Sequence, residues 1–274
     1  MRVMSNHTDI ALAQRLADAA GEAIRPLFRG DWQAEQKEDH SAVTEADRAA
    51  EAAMRSLLEA ERADDGIIGE EYGSVREGAA RQWVLDPIDG TQSFVAGRPI
   101  FGTLIALLQD GWPILGIIDQ PILGERWVGA IGQPTTLNGK GVTTRRCRTL
   151  EGASIATTSP HAFAEDDVDA YLRVVAKAYP QRPWPVYGGD CYNYGLLAAG
   201  HLDIVIEGGL KLHDFAALVP VVEGAGGTMS DWQGNPLDAN SDGRVLALGE
   251  PARLEDVLEA MGGIDSNHQH HDGH

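Results

Sequence analysis

Cysteine is nearly absent from this chain. Its 274 residues contain two, Cys147 and Cys191, far apart and without C-x-x-C spacing, which excludes a disulfide framework and a zinc knuckle. Basic residues are also scarce: 22 lysines and arginines stand against 41 acidic side chains, a formal net charge of −19. Such a surface repels nucleic-acid phosphates and anionic membranes and suits ligands that are cationic or carry metal. No apolar run reaches the length of a membrane span, and the opening stretch from Met1 to Leu16 has no hydrophobic core of a secretion signal. These absences predict a soluble cytoplasmic protein with free thiols and neither nucleic acid nor membrane as partner. What is present, with 43% hydrophobic residues, fits one large domain or two modest ones sharing a core.

Apolar residues recur at helical intervals over residues 9–28 (Ile10, Ala13, Leu16, Ala20, Ile24, Leu27), predicting a first helix that Gly30 and Asp31 end. Thr44-Glu45-Ala46-Asp47 has the form of a capping box and predicts a second helix from Thr44 to near Glu61. Short apolar runs follow at 66–69, 83–85, 101–108, 113–118 and 126–131, with turn signals at Gln109-Asp110-Gly111 and Asn138-Gly139, the pattern of antiparallel hairpins. Beyond them, strands at 153–157, 185–187, 203–206 and 245–248 alternate with helices at 166–179, 192–199 and 214–223, and a short helix runs to Met261. This predicts a mixed α/β chain with an N-terminal α+β half (1–143) and a C-terminal α/β half (144–263). The polar tail of residues 264–274, with His268, His270, His271 and His274, is expected to be disordered, and any metal affinity there adventitious.

Three acidic clusters carry the chemistry. Trp83-Val84-Leu85-Asp86-Pro87-Ile88-Asp89-Gly90-Thr91 reads as an apolar strand that ends in two carboxylates and a Gly-Thr step. Asp86, Asp89 and the Ile88 carbonyl can face one space, an oxygen set suited to a hard cation such as Mg²⁺; the same residues could equally form a surface turn with Asx hydrogen bonds. Gly69-Glu70-Glu71 supplies acids at the end of another short strand, and Lys211-Leu212-His213-Asp214 supplies one where a helix opens, a place where aspartate is also a common cap.

Taken in order, G-E-E, then D-P-I-D-G-T, then H-D-x-A-A before a helix and Gly-Gly resemble the signature set of the inositol monophosphatase-like family, from Ala34 through Ala225. The resemblance implies a layered α/β/α/β/α sandwich of the inositol monophosphatase and fructose-bisphosphatase type, with the active site between its halves and a homodimer as the assembly. It implies a hydrolase that removes phosphate from a small phosphorylated metabolite with two or three Mg²⁺. Glu70, Asp86 and the Ile88 carbonyl would hold one ion, Asp86, Asp89 and Asp214 another, and Glu70 a third through water. Asp47 and Thr91 match a pair in which the threonine hydroxyl, hydrogen-bonded to the aspartate, helps with Glu70 to orient and deprotonate the attacking water, although Asp47 is also the capping-box residue. Metals invert the sign of an acidic site so that it can attract phosphate, and N–H groups near Gly90 and Thr91 could cradle phosphate oxygens if a helix opens there.

The resemblance also points to Gly90, Thr91, Gly189, Asp190, Glu207 and Asp214 as substrate contacts. Gly97-Arg98-Pro99-Ile100-Phe101-Gly102-Thr103-Leu104 resembles the histidinol-phosphate phosphatase branch. Asp190 stands where inositol phosphatases are expected to carry a small neutral residue, and a carboxylate there suits an ammonium-bearing substrate; it could also cap the helix near Tyr192. Arg98 could serve the site, the surface or a dimer interface. Histidinol-phosphate phosphatase in histidine biosynthesis is therefore the leading expectation, with an inositol-1-phosphate or broader sugar or nucleotide phosphatase as the alternative. From another class, a catalytically silent metal-binding or interaction protein stands against both.

Overall fold

The computed structural model describes residues 7–30, 35–36, 42–43 and 45–262. The capping residue Thr44 and the histidine-rich tail fall outside the described residues.

Helix α1 (His7–Ile24) buries Leu12, Ala13, Leu16, Ala17, Ala20 and Ile24. It stops short of the expected Phe28, and a 3₁₀ turn (Arg25–Leu27) follows, because Arg25 precedes Pro26 and the residue before proline is disfavoured in α conformation. After the short pair β1 (Glu35–Gln36) and β2 (Ala42–Val43), α2 (Glu45–Glu61) buries Ala46, Ala50, Met54 and Leu58 at intervals of four.

The large sheet follows from β3 (Gly66–Gly69), β4 (Gly73–Val75) and β5 (Arg81–Asp89), then, after the short helix α3 (Thr91–Val95), from β6 (Gly102–Gln109), β7 (Trp112–Gln120), β8 (Glu125–Ala130), β9 (Thr136–Leu137) and β10 (Lys140–Gly141). Its eight strands run in the order β10-β9-β8-β7-β6-β5-β3-β4. The turn signals at Gln109-Asp110-Gly111 and Asn138-Gly139 close the hairpins β6–β7 and β9–β10, within an antiparallel run from β5 to β10; β3 departs from it by lying parallel to β5.

The rest of the chain comprises β11 (Ile155–Thr157), α4 (Glu165–Ala178), β12 (Val186–Tyr187), α5 (Cys191–Ala198), β13 (Ile204–Glu207), α6 (Leu212–Phe215), α7 (Leu218–Gly224), β14 (Thr228–Ser230), β15 (Val245–Leu248) and α8 (Leu254–Met261). The five strands order as β12-β11-β13-β15-β14. The single helix expected over 214–223 is two, since Pro220 has no N–H to continue the ladder across their junction. The three-residue strand β14 has too little periodicity to stand out in the sequence.

The central strands of both sheets are buried on both faces, so alternate residues feed different cores. Trp83, Leu85, Ile105, Leu107 and Ile117 pack with α1 and α2, while Val84, Leu104, Ala106 and Ile118 join a central cluster with α5 and α7. Val205, Val245 and Ala247 close that cluster from the small sheet, whose other face puts Ile204, Ile206, Leu246 and Leu248 against α4 and α8. The layers are α/β/α/β/α. Gly116 and Gly129 let α7 lie directly on the large sheet, since backbone of Ala217 and Pro220 fills the space a Cβ would need. No helix among the described residues is long and apolar enough to cross a membrane.

Candidate active site

Strand β5 does not end at Asp86. It pairs with β6 from Arg81↔Gln109 to Asp86↔Leu104 and again at Asp89↔Gly102, so three steps on one strand match two on the other, a β-bulge. Proline is tolerated there because it has no ladder hydrogen bond to donate, and the Pro87 carbonyl accepts from the buried Thr103 hydroxyl at 2.8 Å. The turn expected at Asp-Pro-Ile-Asp is therefore a bulge, and the chain turns one residue later at Gly90, φ 89°.

The other acids converge on this bulge. Glu70 follows β3, and its loop is tied down by Glu51 of α2, whose fully buried carboxylate accepts from the N–H groups of Glu71 at 2.7 Å and Tyr72 at 3.2 Å and from Arg55 Nε at 2.8 Å. Asp214 lies in the first turn of α6 rather than at its cap, and its Oδ2 accepts from the Lys211 N–H at 2.7 Å. One oxygen thus serves the helix and the other is left for a ligand. Donor atoms of Asp86, Asp89 and Asp214 lie within 4.8 Å of one another, as do those of Glu70, Asp86 and His213.

Burial first, then the charges of Glu70, Asp89, Asp214 and Asp47, hold the Asp86 carboxyl well above its ordinary range. Asp89 is raised likewise by burial and by Asp190 and Asp214, against the N–H of Cys191, which donates to its Oδ2 at 2.7 Å. Asp214 is raised by burial, opposed by His213. Asp86 Oδ1 is out of water and without a hydrogen-bond partner. A buried oxygen with no donor, among carboxylates that repel one another, is what a bound divalent cation relieves, and the all-oxygen set fits Mg²⁺.

Beside the acids, Gly90 and Thr91 open α3, with Gly90 in the left-handed conformation at its N-cap. The Thr91 hydroxyl donates to the Ile88 carbonyl at 3.1 Å rather than to the expected Asp47. Asp47, 1% exposed in the first turn of α2, is an electrostatic neighbour of Asp86. Asp190 occupies the N-cap of α5 with φ 44° and makes no side-chain cap; Asp89 caps that helix from across the site instead. A Cβ on Gly90 would come 2.8 Å from Asp190 Oδ2, so the carboxylate lies directly over the turn that opens α3. Burial raises Asp190 to about 6, with Asp214 adding and Arg98 opposing. Gly189, φ 117°, packs against Asn193. Glu207, at the end of β13, accepts from Thr158 N–H at 2.8 Å, Thr158 Oγ1 at 2.6 Å and Thr157 Oγ1 at 3.2 Å.

Two residues in this arrangement have no role assigned from the sequence. His213 stands beside Asp214 and was visible there as a second donor in His-Asp. Glu51 reads as one more charge on a polar helix face; only the bare Gly69, whose missing Cβ makes room for the Glu51 carboxylate, hints at it.

The inositol monophosphatase family model matches residues 5–264. The chain is 50% identical over 260 residues to the bifunctional phosphatase IMPL2, chloroplastic, of Arabidopsis thaliana, covering 92% of this chain and 74% of that protein. It is 36% identical over 236 residues to a histidinol-phosphatase of Mycobacterium tuberculosis, covering 84% and 89%. Among solved structures, an inositol monophosphatase from Zymomonas mobilis superposes with a TM-score of 0.85 at 54% identity over 93% of this chain and 97% of that one.

Proposed function

The chain belongs to the inositol monophosphatase family, whose general class is the magnesium-dependent phosphatase, and within it we propose that the substrate is histidinol phosphate, hydrolysed to histidinol and phosphate as a step of histidine biosynthesis. The observation that carries this reading is the Asp190 carboxylate, which caps no helix and lies over Gly90. A buried acid that caps no helix, beside the turn proposed to receive the phosphate, supplies the counter-charge for a substrate ammonium. The relatives named histidinol-phosphatase, at 34–36% identity, support it.

In this reading Glu70, Asp86, the Ile88 carbonyl, Asp89 and Asp214 hold two or three Mg²⁺. When bound, these ions would supply the positive charge that attracts phosphate, acidifies the attacking water and neutralises the leaving oxygen. The N–H groups of Gly90 and Thr91 bind phosphate oxygens. Thr91 and Asp47, with Glu70, orient the attacking water and take its proton, and Thr91 is held for this by the Ile88 carbonyl. Gly189 gives the chain its turn into Asp190, and Glu207 backs the substrate side. Three exposed apolar side chains on or beside the edge strand β12, Trp184, Val186 and Tyr187, support a homodimer, which sedimentation velocity tests, and a cytoplasmic location goes with the reading.

A second reading, inositol-1-phosphate hydrolysis, is favoured by the 54% identity to the Zymomonas mobilis structure. Values of kcat/KM measured side by side with Mg²⁺ decide: preference for histidinol phosphate is expected, and a tenfold preference for inositol-1-phosphate overturns the substrate choice. Phosphate release that is the same in Mg²⁺ as in EDTA would mark a silent metal-binding protein.

A further inference from the structure

A site made only of oxygens would treat Mg²⁺ as its natural ion, but α6 also brings a nitrogen. His213 Nε2 lies 4.0 Å from Glu70 Oε1 and 3.4 Å from Asp214 Oδ1. The donor atoms of His213, Glu70 and Asp86 lie within 4.8 Å of one another, and two ligands of one ion, each about 2.1 Å from it, can be at most about 4.2 Å apart. Movements of a few tenths of an ångström close the difference. The imidazole is largely shielded, at 13% side-chain exposure, and Asp86, 2% exposed, keeps its buried Oδ1 without a hydrogen-bond donor.

We propose that Glu70, Asp86 and His213 form a mixed nitrogen–oxygen site that selects a divalent first-row transition-metal ion over Mg²⁺, while Asp86, Asp89 and Asp214 keep an all-oxygen site. The inference rests on the reading of Asp86 as a metal ligand, and it replaces the Mg²⁺ that this reading places on Glu70 and Asp86 with a transition-metal ion. The physical reason is ligand softness: imidazole raises affinity along the series from Mn²⁺ to Cu²⁺, whereas Mg²⁺ gains little from nitrogen and holds its waters tightly. A neutral imidazole is required, with its lone pair on Nε2. A protonated His213 would instead stand beside Glu70 and Asp214 as a fixed cation and could bind no metal. The two arrangements are spectroscopically distinct.

Metal-free protein is loaded with one Mn²⁺ per chain and its electron spin-echo modulation recorded. The expected result is the ¹⁴N modulation of a directly bound imidazole, replaced by the ¹⁵N pattern when histidine is ¹⁵N-labelled and lost in His213→Gln. Labelling reads the wild-type protein itself, so the test survives a variant that folds poorly. The Mn²⁺ dissociation constant of His213→Gln should rise by about tenfold or more, the scale on which lost metal-site contacts act, and the Mg²⁺ constant by less than about threefold. Bound Mn²⁺ without nitrogen modulation overturns the proposal. So does modulation that persists in His213→Gln, which would come from another histidine such as those of the tail, and so does equal weakening of Mn²⁺ and Mg²⁺. The phosphatase reading is judged separately, by phosphate release with Mg²⁺ alone.

Discussion

Asp86, at the bulge of β5, and Glu207, at the end of β13, are both almost wholly buried, 2% and 3% exposed, and in both burial is the largest cause of a raised pKa. Their surroundings differ. Glu207 receives three hydrogen bonds from Thr157 and Thr158, spread over both its oxygens. Asp86 keeps one oxygen buried with no donor and looks out on other carboxylates. A carboxylate offers about four acceptor positions, and what separates a ligand from a strut is how many of them the protein has already used. A raised pKa alone does not distinguish the two, since desolvation acts on both alike.

The comparison is tested hardest at the bulge side. Asp89→Asn or Asp214→Asn removes a full charge from the shared site with almost no change in volume, and the carbonyl oxygen of the new amide can still accept from the Cys191 or Lys211 N–H. Turnover with Mg²⁺ is expected to fall below about a hundredth of wild type, beyond the range for indirect metal contacts, while the thermal midpoint holds. Wild-type rates at moderate Mg²⁺ in either variant would break the distinction between the two regions.

Thr91→Ala should lower kcat by roughly 10²-fold, the usual scale of a lost acid–base contact. Its apparent Mg²⁺ affinity should stay close to wild type, because Thr91 gives its hydrogen bond to the Ile88 carbonyl rather than an oxygen to a metal. A variant changed only in its Mg²⁺ requirement contradicts that role.

Much of the bulge side is legible in the sequence, because it is locally dense: Gly-Glu-Glu and Asp-Pro-Ile-Asp-Gly-Thr each put several oxygen donors within a few residues, and His-Asp adds a nitrogen and a carboxylate. The bulge itself is not legible, since a register shift belongs to two strands and its second half is Leu104 and Gly102 on β6. The apolar run 101–108 foretells a strand buried on both faces, yet nothing in it says that Leu104 faces α5 and α7 while Ile105 faces α1 and α2. The substrate side is harder still. Asp190 reads equally as a substrate contact and as a helix cap, and only the structure shows that Asp89, a hundred residues earlier in the chain, does the capping.

Asp190 therefore stands between the two extremes, buried like Glu207 but with its oxygens uncommitted to the helix it opens. Asp190→Asn should cost about tenfold or more in kcat/KM for histidinol phosphate, the loss of a hydrogen bond to a charged group. Inositol-1-phosphate, which has no ammonium, should be hydrolysed no worse. Equal losses on both esters would assign Asp190 to the fold and move it to the side of Glu207.

The smallest effect is expected at Glu207, and it is an effect on stability. Burial raises this carboxyl from its ordinary 4.5 to about 7, against the hydrogen bonds from Thr158 and Thr157 and with a further push from Asp190. Between those two values the folded protein holds a proton that the unfolded chain has released, so the stability this group contributes is complete below pH 4.5 and is lost as pH rises to about 7. The full loss is about 3 kcal/mol at roughly 1.4 kcal/mol per pH unit. Glu207→Gln has no such titration. The amide carbonyl can keep both Thr158 bonds, but its NH₂ cannot accept from the Thr157 hydroxyl, so the absolute midpoint of the variant carries little information. The difference in midpoint between variant and wild type should move in the variant's favour by about 5–10 °C between pH 5 and pH 8, at about 2–4 °C per kcal/mol for a chain of this size. Melting curves of both proteins in EDTA across that range give the slope. A difference that stays flat with pH would mean that Glu207 is charged throughout, and that the three threonine hydrogen bonds stabilise its anion more than burial penalises it.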